Sequence, residues 1–249
     1  MSKVIVVIPA RFGSTRLPGK PLADLGGKPV IQHTYERAAL ARGLSDVIVA
    51  TDDQRILDAV GAFGGRAMMT RADHANGSER VAEVVTSIDA DVVVNVQGDE
   101  PFIDPGMLDE AIEPLLKDPQ LVMSTLSREI TDTSILNTPS IVKVVSDLSG
   151  YALYFSRSVI PYGRYPEFCH WQEHVGLYAY RRDFLLEFVK WPPTPLEQAE
   201  SLEQLRVLEH GYRIRVVETT RGEDVPCIDT PEDLERARRY LQMRSQGAA

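Results

Sequence analysis

The 249 residues carry 27 Lys and Arg against 36 Asp and Glu, a net charge of -9, and 43% of them are apolar. That apolar share excludes a disordered chain, and the acidic balance excludes the broad cationic face that nucleic-acid backbones require. A local cationic pocket for a phosphorylated metabolite remains open. Cys169 and Cys227 are the only cysteines, so there is neither a disulfide framework nor a CxxC pair. Cys169-His170 with His174 falls short of the three or four ligands that zinc takes. The apolar run Val4–Ile8 is too short for the core of a signal peptide, and nothing approaches a span of about 20 apolar residues. The expectation is a cytoplasmic protein with no membrane or nucleic-acid partner.

In chain order, Val4–Ile8 reads as a strand and Pro29–Ala41 as a helix with Val30, Ile31 and Thr34 on one side. Val47–Ala50 is a strand, followed by Asp52-Asp53 and a helix through Ile56, Leu57 and Val60. Ala67–Met69 is a short strand before a helix near Glu79–Ser87, which Ser78 is placed to cap. Val92–Val96 is apolar without alternation, the mark of a strand buried on both faces. Pro105 opens a further helix, and Leu121–Leu126 is a strand. Ile141–Val145 and Tyr151–Phe155 flank the turn residues Asp147–Gly150 and read as a hairpin. Glu173–Tyr180, Ile214–Val217 and Val225–Ile228 are strand-like, and Leu202–Glu209 is helical. Thr230-Pro231-Glu232-Asp233 places a capping Thr, Pro at the first helical position and early acids before the last helix.

This order predicts an α/β fold: an open, mostly parallel twisted sheet with helices on both faces, plus a small antiparallel extension. No Gly-, Ser- or Pro-rich linker and no internal repeat divides residues 1–249, so a single domain is expected. Within it fall a first half of about residues 1–130, an insertion of about 131–212 and a return to the sheet over about 213–249.

Ligands in open α/β sheets sit beyond the carboxyl ends of the strands. The loop that leaves the first strand, Pro9-Ala10-Arg11-Phe12-Gly13-Ser14-Thr15-Arg16-Leu17-Pro18-Gly19-Lys20-Pro21, brings Arg11, Arg16 and Lys20 to that edge among small residues. Small residues let backbone N–H groups reach phosphate oxygens, which the cations neutralise. It is a near miss of a P-loop: five residues separate Gly13 from Gly19 where four are usual, and Pro21 stands where a hydroxyl would hold magnesium. The bland alternative is a solvated basic turn. Metal ligands must then come from elsewhere. Asp99, in Gln97-Gly98-Asp99-Glu100-Pro101, follows the buried strand Val92–Val96, and Asp229 precedes the last helix. Each fits a Mg²⁺ carboxylate, and each is equally a turn or cap residue by spacing alone. Arg80 opens a helix after a Gly-containing loop, a place suited to anions or ribose. Asp89-Ala90-Asp91 has the DxD form of metal-dependent glycosyltransferases but stands before its strand, at the wrong end of the sheet.

Taken together, Ile8–Arg11, Ser14–Leu22, Asn95–Pro101, Gly150–Arg157, His174–Tyr178, Ser201–Arg206 and Asp229–Leu234 resemble the 3-deoxy-manno-octulosonate cytidylyltransferase (CMP-Kdo synthetase) family, in order and over almost the whole chain. The resemblance implies a Rossmann-like nucleotidyltransferase fold, Mg²⁺, and the conversion of CTP and Kdo into CMP-Kdo and pyrophosphate for lipopolysaccharide synthesis. It implies that Arg11, Ser14 and Lys20 hold the triphosphate, that Gln97 and Arg80 help bind the nucleoside, that Pro9, Ala10 and Arg16 also contact the nucleotide, and that Asp99 and Asp229 hold magnesium. Lys20, Asp99 and Asp229 would be the catalytic set. Arg157, His174, Tyr178, Glu203 and Gln204 would bind the sugar acid, with Arg157 the partner of its carboxylate; about 1–130 would be the nucleotide-binding half and about 131–212 a sugar-binding insertion whose antiparallel extension joins a homodimer. The variable segment 163–173 transfers nothing. The alternatives are 8-amino-Kdo or another acidic sugar such as N-acetylneuraminate, a DxD glycosyltransferase, or a nucleotide-binding module without chemistry.

Overall fold

A computed structural model describes residues 2–14, 16–222 and 227–247. The chain forms two compact units, residues 1–109 with 221–249, and residues 110–220.

In the first unit four parallel strands lie in the order Val92–Asn95, Val4–Ala10, Leu44–Thr51, Arg66–Met69. Val4, Val6 and Ile8 are as buried as Val7, and Val92 to Val94 are fully buried. Both faces of these strands are covered, which is why their sequences are apolar without alternation. Parallel strands need long crossovers, here the helices Val30–Ala38, Gln54–Ala62 and Gly77–Thr86. They bury Ile31, Ile56 and Val60, and Val81, Val84 and Val85, at helical spacing. Because the strands run the same way, the segments after Ala10, Thr51, Met69 and Asn95 all leave one edge. The last helix, Pro231–Gly247, buries Leu234 and Ala237 in a cluster with Leu25, Val30 and Ile228.

In the second unit, Met123–Glu129 pairs antiparallel with Gln172–Arg181 and parallel with Ile214–Glu218. Lys143–Ser146 and Ala152–Ser156 form the expected hairpin. Its turn is held by Asp147, whose Oδ1 accepts from the backbone N–H groups of Ser149 (2.8 Å) and Tyr151 (2.9 Å), and by Gly150 at φ 75°. The mostly parallel α/β architecture with an antiparallel addition is the one the order of elements predicts.

Three local readings change. The helix Gly77–Thr86 is capped by Asn76, whose side chain accepts from the Glu79 N–H at 2.9 Å; Ser78 is buried within the first turn. Two short helices, Arg182–Phe188 and Pro195–Glu200, were not expected. The second carries a legible signal, since Thr194 and Glu197 form a capping box with Pro195 at the first position. Of the strand-like Val225–Ile228, Val225 and Pro226 lie outside the described residues, and Cys227 and Ile228 belong to no strand. No helix among the described residues is long and apolar enough to cross a membrane.

Lys143 is fully buried in the second unit, and its ammonium donates to the carbonyls of Ile141 (2.6 Å), Arg157 (2.7 Å) and Thr138 (3.3 Å). Burial lowers its pKa. Replacing one partner of a buried charged hydrogen-bond set strands the others. Lys143→Met should therefore lower the unfolding free energy by about 2–4 kcal/mol, measured as a shift of the urea midpoint at unchanged slope.

Candidate active site

The loop after Val4–Ala10 is closed on itself by one carbonyl. Phe12 O accepts from Ser14 N–H at 2.9 Å and Gly19 N–H at 3.0 Å, so residues 12 and 19 lie side by side. Gly19 has φ 71°, a left-handed conformation that suits glycine, and a Cβ there would sit 3.0 Å from the Phe12 ring. Gly98 is constrained differently. A Cβ on it would meet the carbonyl oxygen of Pro9 at 2.8 Å, so only glycine lets the segment after Val92–Asn95 run this close to the end of Val4–Ala10.

Lys20 ties the two acidic segments together. Its ammonium donates to Asp99 Oδ2 at 2.6 Å and to Asp229 Oδ1 at 3.1 Å, with the Lys20 side chain only 13% exposed. Burial alone would lower the Lys20 pKa; the Asp99 and Asp229 carboxylates outweigh it and hold the ammonium above its ordinary range. Arg16 reaches Asp229 Oδ1 at 3.0 Å. The backbone agrees: Ile228 N–H donates to Asp99 O at 2.9 Å. Asp229 is presented by the cap of the last helix, where the Asp233 carboxylate accepts from the N–H groups of Asp229 (3.2 Å) and Thr230 (2.9 Å).

Around this pair opens a cavity of about 260 Å³. Pro9, Ala10, Arg11, Ser14, Arg16, Lys20, Arg80, Gln97, Asp99 and Asp229 all line it. Every residue singled out for the nucleotide or the metal thus faces one space within the first unit. Arg80 is not a solvated cation there. It is 4% exposed, and its guanidinium donates to Thr70 Oγ1 (2.5 Å), Arg71 O (3.1 Å) and Asp52 Oδ2 (2.9 Å).

Sequence reasoning missed His74 and Asn76, which also line the cavity. The His74 ring is buried against Glu83, which engages its Nε2. Only the Asp-His-Ala-Asn-Gly run before a helix start hinted at them, and a lone histidine in a loop is ordinarily structural.

Among the described residues no group of three or more Asp, Glu, His or Cys side chains is placed to hold a metal. The donor set at Lys20 nevertheless fits Mg²⁺, because one cationic centre already touches two carboxylates, and Mg²⁺ completes its shell with phosphate oxygens and water.

The residues foreseen for the sugar lie in the second unit, on Ala152–Ser156 and its flank, Gln172–Arg181, and the start of the helix Gln204–Glu209. A bulge between Val175 and Tyr178 breaks the register with Met123–Glu129. It leaves the His174 and Tyr178 rings as neighbours, with centroids 5.3 Å apart. Burial pushes His174 down to about 3, so its ring is neutral, with Nε2 at 3.0 Å from Thr125 Oγ1. Burial, and then the Glu203 carboxylate, push the Tyr178 hydroxyl up. Gln204 is 3% exposed, and its Nε2 has no hydrogen-bond partner among the described residues. Arg157 is more committed than expected: it donates to the carbonyls of Glu200 (2.7 Å), Pro139 (2.9 Å) and Ser201 (3.2 Å). That occupies three of its five N–H groups, leaving two for a carboxylate.

The DxD reading loses its residues. Asp91 accepts from the Lys3 backbone N–H at 2.7 Å, and Asp89 pairs with the Lys3 ammonium. Both are consumed at the amino end of the first strand.

The cytidylyltransferase family model matches residues 5–214. The chain is 54% identical to the 3-deoxy-manno-octulosonate cytidylyltransferase of Geobacter sulfurreducens, over 96% of this chain and 99% of that one. It is 53% identical to the protein of the same name from Geobacter metallireducens, over 94% and 96%. A solved CMP:2-keto-3-deoxy-manno-octonic acid synthetase complexed with CTP superposes with a TM-score of 0.94 at 48% identity, covering 98% of this chain and all of the other. By the cationic loop, the paired aspartates and similarity along nearly its whole length, this chain belongs to the cytidylyltransferase family, among the 3-deoxy-manno-octulosonate cytidylyltransferases.

Proposed function

We propose that this chain transfers CMP from CTP to the anomeric C2 hydroxyl of 3-deoxy-D-manno-octulosonate (Kdo), giving CMP-Kdo and pyrophosphate. The observation that carries the reading is the Lys20 ammonium held between Asp99 and Asp229 in a cavity lined by Arg11, Ser14 and Arg16. Phosphoryl and nucleotidyl transfers depend on positioning and charge neutralisation more than on covalent help from the protein. In this reading Arg11, Ser14, Arg16 and Lys20, with the backbone at Pro9 and Ala10, hold the triphosphate. Gln97 and Arg80 face the nucleoside, Arg80 held in place by Asp52 and Thr70.

The sugar's C2 oxygen forms a bond to the α-phosphorus as the bond to the bridging β-phosphate oxygen breaks in line. The hydroxyl proton passes to solvent. Lys20 neutralises the charge that builds on the departing pyrophosphate. Asp99 and Asp229 are the carboxylates that would hold Mg²⁺; when bound, the ion supplies further charge neutralisation and makes the hydroxyl more acidic. Arg157, His174, Tyr178, Glu203 and Gln204 bind the sugar acid, with the two remaining N–H groups of Arg157 for its carboxylate. The neutral His174 ring and the Gln204 amide serve as hydrogen-bonding groups, without a proton-transfer role.

The setting that goes with this chemistry is a cytoplasmic step of lipopolysaccharide synthesis. The working form is a homodimer joined through the hairpin and the segment after it, where Leu148, Leu153, Tyr162 and Phe168 are exposed. Light scattering at micromolar concentration should give twice the chain mass.

The decisive assay is pyrophosphate release from CTP with Kdo, 8-amino-Kdo and N-acetylneuraminate offered separately. Kdo should be turned over fastest; preferential use of either other sugar would overturn the substrate assignment. Asp99→Ala and Asp229→Ala should each lower kcat/KM by about a thousandfold or more with the far-ultraviolet circular dichroism unchanged, and chelator should abolish turnover until Mg²⁺ is restored. Near-native rates for either variant would remove it from the reacting centre. Because His174 stays neutral down to about pH 3, KM for the sugar should show no inflection near the ordinary histidine value, and the shape of that profile should survive His174→Asn.

A further inference from the structure

We propose that Asp53 and Arg55 are positioning residues for the triphosphate limb of the site, acting through the Phe12 ring. The inference rests on the reading of the residue 11–20 loop as the triphosphate cradle, and it explains what holds that loop in shape. The Arg55 guanidinium lies over the Phe12 ring with its central carbon 3.3 Å from the ring centroid, a stacked cation–π contact. The far edge of the same ring packs against Gly19, where a Cβ would come within 3.0 Å of Phe12 Cζ and 3.1 Å of Cε2. Phe12 O is hydrogen-bonded to Gly19 N–H at 3.0 Å. The ring therefore governs the two residues that adjoin the cradle cations: Phe12 follows Arg11, and Gly19 precedes Lys20.

Arg55 is itself oriented. Its Nε donates to Asp53 Oδ1 at 2.9 Å and its Nη2 to Asp53 Oδ2 at 2.7 Å, a two-point pairing that fixes the guanidinium plane. Asp53 also caps the helix Gln54–Ala62 through the Arg55 backbone N–H at 2.9 Å. The neighbouring acid, Asp52, turns instead to Arg80 at 2.9 Å. Consecutive carboxylates at the end of Leu44–Thr51 thus serve different limbs of one cavity, Asp52 the nucleoside side and Asp53 the phosphate side.

This division is testable because the two limbs can be titrated separately. Binding of CTP and of CMP would be measured by calorimetry for the wild-type enzyme and for Arg55→Ala, Asp53→Asn and Phe12→Leu, each with a thermal melt. Asn at 53 keeps a capping oxygen while losing the charged pairing, and Arg55 is 59% exposed, so both variants should fold. All three should weaken CTP binding about three- to tenfold and change CMP binding by less than about twofold. Unchanged CTP affinity in Arg55→Ala, or equal loss for CTP and CMP, would overturn the positioning role. Lys20→Met, measured alongside, separates the two levels. If it leaves CTP affinity intact, the cradle reading itself falls; if it weakens CTP while Arg55→Ala does not, only the role of Asp53 and Arg55 is overturned.

Discussion

One ammonium organises the first unit's site. Lys20 meets carboxylates that lie 79 and 209 positions away along the chain. With none of the three groups fully solvated, their attraction is screened less than at an open surface. Two acids facing one cavity would repel one another if left alone, and a cation between them removes that cost. The same arrangement suits a site that receives a highly charged nucleotide: the positive and negative groups are in place beforehand, and no large reorganisation is needed when the phosphates arrive.

Parallel strands make this convergence possible. Val92–Asn95, Val4–Ala10, Leu44–Thr51 and Arg66–Met69 all run one way, so the segments that follow them share an edge. Each contributes something different there: a cationic loop, a pair of acids, the Thr70 and Arg71 partners of Arg80, and Asp99. Glycine is required where these segments crowd at Gly98, against the Pro9 carbonyl, and the left-handed φ of 71° favours it at Gly19 beside Phe12.

The second unit relies on a different device. Its hairpin and long antiparallel strand are not uniformly buried, and a bulge in Gln172–Arg181 sets the His174 and Tyr178 rings together. Burial there keeps the histidine neutral and the tyrosine protonated, which favours hydrogen bonding to a polyhydroxylated ligand over acid–base work. The committed N–H groups of Arg157 and the three carbonyls on Lys143 brace the segments around that cluster.

The amino-acid sequence by itself determined the alternation of buried strands and helices, because unbroken β-branched runs and helical spacing are local properties of the chain. It also placed Arg11, Arg16, Lys20 and Asp99 at the sheet's carboxyl edge, since a loop directly after a buried strand has nowhere else to go. Asp229 could be read only as a cap or a ligand; its meeting with Lys20 is decided by the fold. The same holds for Arg80, which spacing gives as a cation at a helix start and which the structure buries against Asp52 and Thr70. Asn76 taking the cap that Ser78 was expected to fill, and Phe12 lying between Arg55 and Gly19, are likewise contacts between distant or competing groups. Periodicity reports which face of an element is apolar, but it carries no information on which partner a polar side chain will find, and that choice is made only when the packed strands bring their loops together.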